Sequence, residues 1–451
     1  MARGADEGAG PDIAAARLSP EAYRANFGDV HLPLAREAAL VEANRCYFCY
    51  DAPCIEACPT GIDIPGFIKG IATDNVAGSG RKILDANIFG GACARVCPTE
   101  VLCEQACVRL AQEGKPVQIG RLQRYATDPV LAEPRHPFAR APGTGKRVAV
   151  VGAGPAGLSC AHRLALLGHD VVVFEARPRA GGLNEYGVAE YKVAGHFART
   201  EVEFVLGIGG IELRTGKVLG RDIALTELRH DFDAVFLGMG LAGVNALGAE
   251  GEGIEGVHNA VDYIATLRQA DDFAALPVGR RIVVIGGGNT AIDIAVQTKR
   301  LGAEDVTLVY RRGPEAMGAT GHEQEFAQIN GVKIKHWARP VRLVAREGQV
   351  AEAVFESTKL DGNKLVGTGE TFALPADMVF KAIGQLFVAD PLGAESIELD
   401  HGRIAIDADG KTSLDKVWAG GDCVAGGQDL TVQAVQHGKV AAHAIDRALR
   451  A

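Results

Sequence analysis

Apolar residues recur in two different rhythms along this chain. Up to about residue 140 they fall at helical spacing, as over residues 65–71 and 101–110, and strand-type alternation is scarce. A stretch rich in Pro and Gly, residues 133–143, reads as a linker. Beyond it the pattern becomes strand–turn–helix–strand. An apolar strand over residues 147–151 runs into a turn at 152–157, a helix follows to about Leu167 with Gly168 as its stop, and a strand over 170–175 completes a βαβ unit. A second such unit runs from Arg281 through Lys299 to Tyr310. Two further apolar runs, 233–240 and 377–384, read as strands that return the chain from one βαβ domain to the other. The segment Val417-Trp418-Ala419-Gly420-Gly421-Asp422, ahead of a helix at 431–449, then needs a sheet to join. It gains one if the second domain is inserted into the first.

Length and composition narrow the class. A chain of 451 residues exceeds a single hydrophobic core, and 57 glycines suit an α/β protein with many tight turns. A net charge of −9 argues against nucleic acid or an anionic membrane surface as partner. The first eight residues, Met1 to Gly8, are polar, and no apolar run approaches the roughly 20 residues that cross a bilayer, so the expected location is cytoplasmic.

Eight of the ten cysteines crowd the first quarter of the chain. In a reducing compartment they read as metal ligands rather than disulfides. Cys46-x2-Cys49-x4-Cys54-x3-Cys58-Pro59 is the ferredoxin pattern with one interval lengthened; Cys93, Cys97-Pro98, Cys103 and Cys107 form the second run. Thiolates at such intervals can converge on one cubane, and in two-cluster ferredoxins the cysteine before Pro serves the other cluster. Structural zinc is the alternative, although it favours two Cys-x2-Cys pairs and only one occurs. Cys93 stays open, because eight cysteines could supply every ligand. Cys160 and Cys423 read as packing thiols.

The turn Gly152-Ala153-Gly154-Pro155-Ala156-Gly157 is a dinucleotide fingerprint in its proper strand–helix setting. Its glycines allow a pyrophosphate to reach a helix N-terminus, and Glu175, 18 residues on, can accept from an adenosine ribose. Gly286-Gly287-Gly288-Asn289-Thr290-Ala291 is a second fingerprint. Its following strand ends in Arg311-Arg312 instead of an acid, which on charge alone favours a 2′-phosphate and NADP; the alternative is that the arginines line a phosphate-rich groove. Gly421 and Asp422 precede a helix, where an acid can accept from a flavin ribityl chain. Twelve histidines show no ligand-like spacing, and no nucleophile–base pair stands out, as expected where cofactors carry the chemistry. The predicted fold is α/β: two nested Rossmann-like dinucleotide-binding domains preceded by an α-helical iron–sulfur domain. Its boundaries are 1–143 for the helical domain, 144–270 and 395–451 for the two parts of the first dinucleotide-binding domain, and 271–394 for the second.

From about residue 30 onward this order of motifs closely resembles the family of glutamate synthase small subunits and the N-terminal portion of dihydropyrimidine dehydrogenase. Asp51-Ala52-Pro53-Cys54, Cys58-Pro59-Thr60-Gly61-Ile62-Asp63 and Cys97-Pro98-Thr99 are similar to the dihydropyrimidine dehydrogenase branch. The resemblance implies one [4Fe-4S] cluster on Cys46, Cys49, Cys54 and Cys107 and another on Cys58, Cys97, Cys103 and Gln123, with Cys93 a bystander. It implies FAD at the first fingerprint and NAD(P)H at the second; Gly182, Leu183, Lys192, Val218 and Gly384 complete the cofactor-binding set. The family includes NADH and NADPH users. Where NADPH-using members carry another basic residue, this chain reads Gly313-Pro314-Glu315-Ala316-Met317-Gly318-Ala319. The implied function is electron input to pyrimidine catabolism: hydride from NAD(P)H to FAD, then single electrons through two clusters to a partner subunit carrying FMN and iron–sulfur centres, which reduces uracil or thymine. The chain itself has no segment for an FMN barrel. A glutamate synthase small subunit, or a related NAD(P)H:acceptor oxidoreductase subunit, is the alternative within the group. A redox-sensing module without turnover is the alternative outside it.

Overall fold

The computed structural model describes residues 12–393 and 395–451; the polar opening Met1 to Gly8 and the expected domain edge at 394 lie outside them. The described residues fold into two compact units. One comprises residues 30–185, 195–243 and 386–451, and the other residues 12–29, 186–194 and 244–385.

The first unit is built on a parallel sheet in the spatial order Val417–Ala419, Ala234–Leu237, Arg147–Val151, Asp170–Phe174, Ile211–Arg214. Its central strands are near-continuous runs of Val, Ala and Phe, because a parallel sheet is covered on both faces. Val417–Ala419 thus finds its sheet after the chain has left this unit at Gly243 and come back at Leu386. The helices Pro155–Leu166 and Thr431–Arg450 cross so closely that a Cβ on Gly438 would stand 2.1 Å from the Ala156 carbonyl oxygen. Ahead of the sheet, the helices Arg36–Ala43, Ile64–Ala72, Val76–Ala86 and Ile119–Ala132 close around Ile62, Phe67, Ile68, Ile71, Ile83 and Leu122.

The helices and the sheet share apolar surface. Leu84, Phe89, Ala92, Val130 and Leu131 belong to the same core as Val148, Val150, Leu158 and Leu164. The expected division at residue 143 is therefore a linker inside one unit. The expected helix over 101–110 also differs from the structure, which has a 3-10 turn at Thr99–Val101 and a helix only from Val108 to Glu113. Leu102 (φ −120°, ψ −116°) breaks the run. The amide of Glu104 folds back on the Thr99 carbonyl, which puts Cys103 and Cys107 on turns instead of a helix face.

The second unit carries a parallel sheet in the order Lys333–Lys335, Asp305–Val309, Arg281–Gly286, Met378–Ala382, Val257–Asn259. An antiparallel meander, Ala338–Arg346, Gln349–Asp361 and Lys364–Pro375, interrupts it. The unit's long segment runs from Val244 to Gln385 where 271–394 is expected, because Val257–Asn259 pairs with Met378–Ala382 and the helix Ala260–Gln269 packs on both strands. Ile13–Ala14 pairs with Val278–Gly279, so residues 12–29 belong here and not with the cysteine-bearing helices. Among the described residues no helix is long and apolar enough to cross a membrane.

Candidate functional site

The turn after Arg147–Val151 is closed on itself. Gly152 has φ +97°, and a Cβ there would lie 2.2 Å from the Gly238 carbonyl oxygen; one on Gly157 would lie 1.9 Å from that of Gly152. The helix Pro155–Leu166 starts on Gly154 with no side chain capping its first N–H groups, which leaves them available to an anion. A second glycine loop lies over the first: a Cβ on Gly182 would meet the Gly154 Cα at 2.6 Å. Glu175 accepts from the Ala153 amide at 2.7 Å and from the Arg177 amide at 2.8 Å. Each of its oxygens keeps a further lone pair, so the carboxylate is fixed at the turn and can still take a ribose hydroxyl. These features fit a dinucleotide, whose pyrophosphate the free amides at the start of the helix would hold.

Leu183 opens the short helix Leu183–Tyr186 and is exposed. Val218 donates its amide to Asp222 at 2.8 Å. Asp422 follows Gly421, where an added Cβ would meet the Ala156 side chain at 2.9 Å. Burial pushes the Asp422 carboxyl up to about 6, with Asp429 adding to the rise and Arg403 opposing it. Near neutral pH it can accept from a ribityl hydroxyl, and in mildly acid solution it can donate. Sequence reading missed Asn184, a buried amide whose oxygen accepts from the Thr431 hydroxyl at 2.9 Å and so ties the Gly182 loop to the start of the C-terminal helix.

In the second unit, Gly287, Gly288, Asn289 and Thr290 stand at the carboxyl end of Arg281–Gly286, and Gly384 follows Met378–Ala382. A Cβ on Gly288 would meet open space, and the helix Asn289–Arg300 begins without a side-chain cap. Residues 313–319 fold onto this turn: Ala319 donates to the Gly287 carbonyl at 2.9 Å. Arg311 and Arg312 are exposed just past Asp305–Val309. Their carbonyls are held by the Thr358 hydroxyl and the Trp337 amide, which leaves both guanidinium groups at the surface. The crevice at the carboxyl ends of parallel strands suits a second dinucleotide.

Lys192 belongs to this unit. Its ammonium sits 2.8 Å from Asp293 and 2.7 Å from Glu323, and the Tyr191 hydroxyl donates to Asp293. Burial and the neighbouring Asp293 hold the Glu323 carboxyl above its ordinary range. Neither acid carried a motif that would have marked it in the sequence.

Cys46, Cys49, Cys54 and Cys107 line one pocket walled by Ile64, Ile68 and Val117. Burial pushes the Cys54 thiol up to about 12, and Cys46, Cys107 and Cys49 add to the rise. Such walls disfavour bare thiolates, so these donors suit a guest that brings positive charge, as iron does. The Phe48 amide already donates to the Cys46 sulfur at 3.4 Å. Cys58, Cys97 and Cys103 form a second group: the hydrogen bond with Cys93 and then burial raise the Cys97 thiol, burial raises the Cys103 thiol, and the three act on one another electrostatically. Gln123 is buried, with its amide nitrogen donating to the Gly90 carbonyl at 2.7 Å, which leaves its oxygen as the atom that could act as a ligand. Cys93 lies in the shared apolar core and is hydrogen-bonded to Cys97. Cys160 and Cys423 are fully buried. Among the described residues no three His, Cys, Asp or Glu side chains converge on a single metal ion.

Residues 146–438 match the model of the pyridine nucleotide-disulphide oxidoreductases, and residues 23–134 match dihydropyrimidine dehydrogenase domain II, 4Fe-4S cluster. The glutamate synthase [NADPH] small chain of Escherichia coli is 34% identical over 93% of both chains. The NAD-dependent dihydropyrimidine dehydrogenase subunit PreT of Salmonella typhimurium is 32% identical over 90% of this chain and 93% of its own. Among solved structures, Mycobacterium tuberculosis FprA in complex with NADPH aligns with a TM-score of 0.55 at 19% identity, over 69% of this chain and 85% of that one, a likeness of fold.

Proposed function

Because the chain belongs to the pyridine nucleotide-disulphide oxidoreductase family, with a dihydropyrimidine dehydrogenase 4Fe-4S domain ahead of that fold, we propose that it is the electron-input subunit of a hetero-oligomeric dihydropyrimidine dehydrogenase. The observation that carries this reading is the sharing of one apolar core by the cysteine-bearing helices and the Gly152 sheet. It supports a short, rigid passage from a flavin to metal centres. When bound, FAD supplies a hydride acceptor and the two [4Fe-4S] clusters supply one-electron carriers. The turn at Gly287 and Gly288, with Arg311 and Arg312, holds NAD(P)H. Gly152 to Gly157, Glu175 and Asp422 hold and orient FAD. Cys46, Cys49, Cys54 and Cys107 ligate one cluster; Cys58, Cys97, Cys103 and Gln123 ligate the other. The partner is a catalytic subunit with FMN and iron–sulfur centres that reduces uracil or thymine.

The test is reconstitution. The chain alone oxidises NAD(P)H with a dye as acceptor and leaves uracil untouched; with the partner it forms dihydrouracil. Cys54→Ser stops pyrimidine reduction and spares dye reduction at the flavin. Uracil reduction by the chain alone, or full activity of the Cys54→Ser complex, would overturn the reading. The 34% identity to a glutamate synthase small chain favours a second one. Activity restored by a glutamine- and 2-oxoglutarate-using large subunit, and not by an FMN-barrel partner, would establish it.

A further inference from the structure

The C-terminal helix Thr431–Arg450 begins at the flavin cradle and runs to the cysteine-bearing helices. Lys439 stands eight residues into it, about 12 Å along the axis. Its ammonium donates to the Thr60 carbonyl at 3.0 Å and to the Ala86 carbonyl at 2.8 Å. Ala86 ends the helix Val76–Ala86, where backbone carbonyls carry partial negative charge. Thr60 is buried, and its hydroxyl lies 3.3 Å from the Cys58 sulfur. Cys58 itself is among the groups that act electrostatically on Lys439. The nearby Arg163 is matched by Asp85, whereas no carboxylate lies within ion-pair distance of Lys439 among the described residues. The Lys439 ammonium, from the flavin fold, is therefore held against the loop Cys58-Pro59-Thr60.

We propose that Lys439 is a positioning residue that raises the reduction potential of the cluster taking Cys58, directly through its charge and indirectly by holding Thr60 with its hydroxyl on the Cys58 sulfur. The inference rests on the reading of Cys58 as a cluster ligand. Reduction adds one electron to the cluster, and a fixed cation and a hydrogen bond to a ligand sulfur both favour the more negative state.

Redox titration of the full, cofactor-loaded chain followed by EPR tests this. In Lys439→Gln, one of the two cluster signals should move to lower potential by about a tenfold change in its one-electron equilibrium, or about 59 mV. The other cluster and the flavin content should not change. Lys439→Arg, which keeps the charge, should stay near the wild-type value. Thr60→Val removes only the hydroxyl and should lower the same potential by a smaller amount; it also decides the matter if the Lys439 variants fail to load a cluster. Unchanged potentials in Lys439→Gln or, in that event, in Thr60→Val would overturn the proposal. Cys58→Ala separates the two layers. If it abolishes one signal while Lys439→Gln moves none, the lysine proposal alone fails. If both signals survive in Cys58→Ala, the ligand reading fails and the proposal goes with it.

Discussion

Replacing Lys192 by Met removes the ammonium that bridges Asp293 and Glu323. The ammonium lies 2.8 Å from Asp293 and 2.7 Å from Glu323, with side-chain exposures of 9%, 7% and 20% for the lysine and the two acids. Breaking a buried ion pair from one side costs about 3–5 kcal/mol, because the remaining charge has lost its compensation. Here one lysine serves two carboxylates, so the loss should sit at the upper end of that range near pH 8. It should shrink as the pH falls and the Glu323 carboxyl, already held above its ordinary range, takes up a proton. The chain has two tryptophans, Trp337 in the second unit and Trp418 in the first. Urea unfolding read by Trp337 fluorescence in a Trp418→Phe background therefore follows the affected unit. Lys192→Met should lower its midpoint markedly, and Lys192→Met/Glu323→Gln should recover part of the loss. An unchanged midpoint together with lost cofactor binding would refute the structural role and make Lys192 a cofactor ligand first.

Four other outcomes follow from the same geometry. Gly157→Ala drives a Cβ into the Gly152 carbonyl, 1.9 Å away in the present backbone, so flavin absorbance per chain should collapse while helix content holds; full flavin loading would contradict the cradle. Arg311→Ala should raise KM for NADPH roughly 10–150-fold with little effect on NADH, since a charge-assisted contact is worth about 1.5–3 kcal/mol; equal effects would mean that the arginine serves the shared pyrophosphate. Burial holds the Glu201 carboxyl up at about 8 against 4.5 for the free group, so the fold keeps it protonated while the unfolded chain ionises. Stability should then fall as pH rises from 4.5 through 8, by up to about 1.4 kcal/mol per pH unit, and Glu201→Gln should flatten that slope in urea titrations. Gln123→Ala should alter one cluster's EPR signal and leave FAD content intact; unchanged spectra would return Cys93 to the ligand set.

The sequence by itself determined the parts of the protein whose chemistry is local. A strand, a glycine turn and a helix N-terminus lie within about 20 residues of one another, so both dinucleotide turns, the strands around them and the stop at Gly168 were legible as pattern. The insertion of one dinucleotide domain in the other was legible too, because Val417–Ala419 had no other sheet to join. Cysteine spacing announced metal, since ligands a few residues apart must share a neighbourhood. Tertiary structure alone decided what depends on residues far apart in the chain. Helical periodicity over 101–110 did not survive, because Leu102 turns the backbone and folds Glu104 back on Thr99. Residues 12–29 joined the second unit through two residues of strand pairing that no periodicity could announce. The Asp293–Lys192–Glu323 triad, the buried Glu201 beside Ala92 and the reach of Lys439 to Thr60 join residues about 100 to nearly 400 positions apart. Such contacts exist only once packing has excluded water, and that exclusion is also what gives their charges weight.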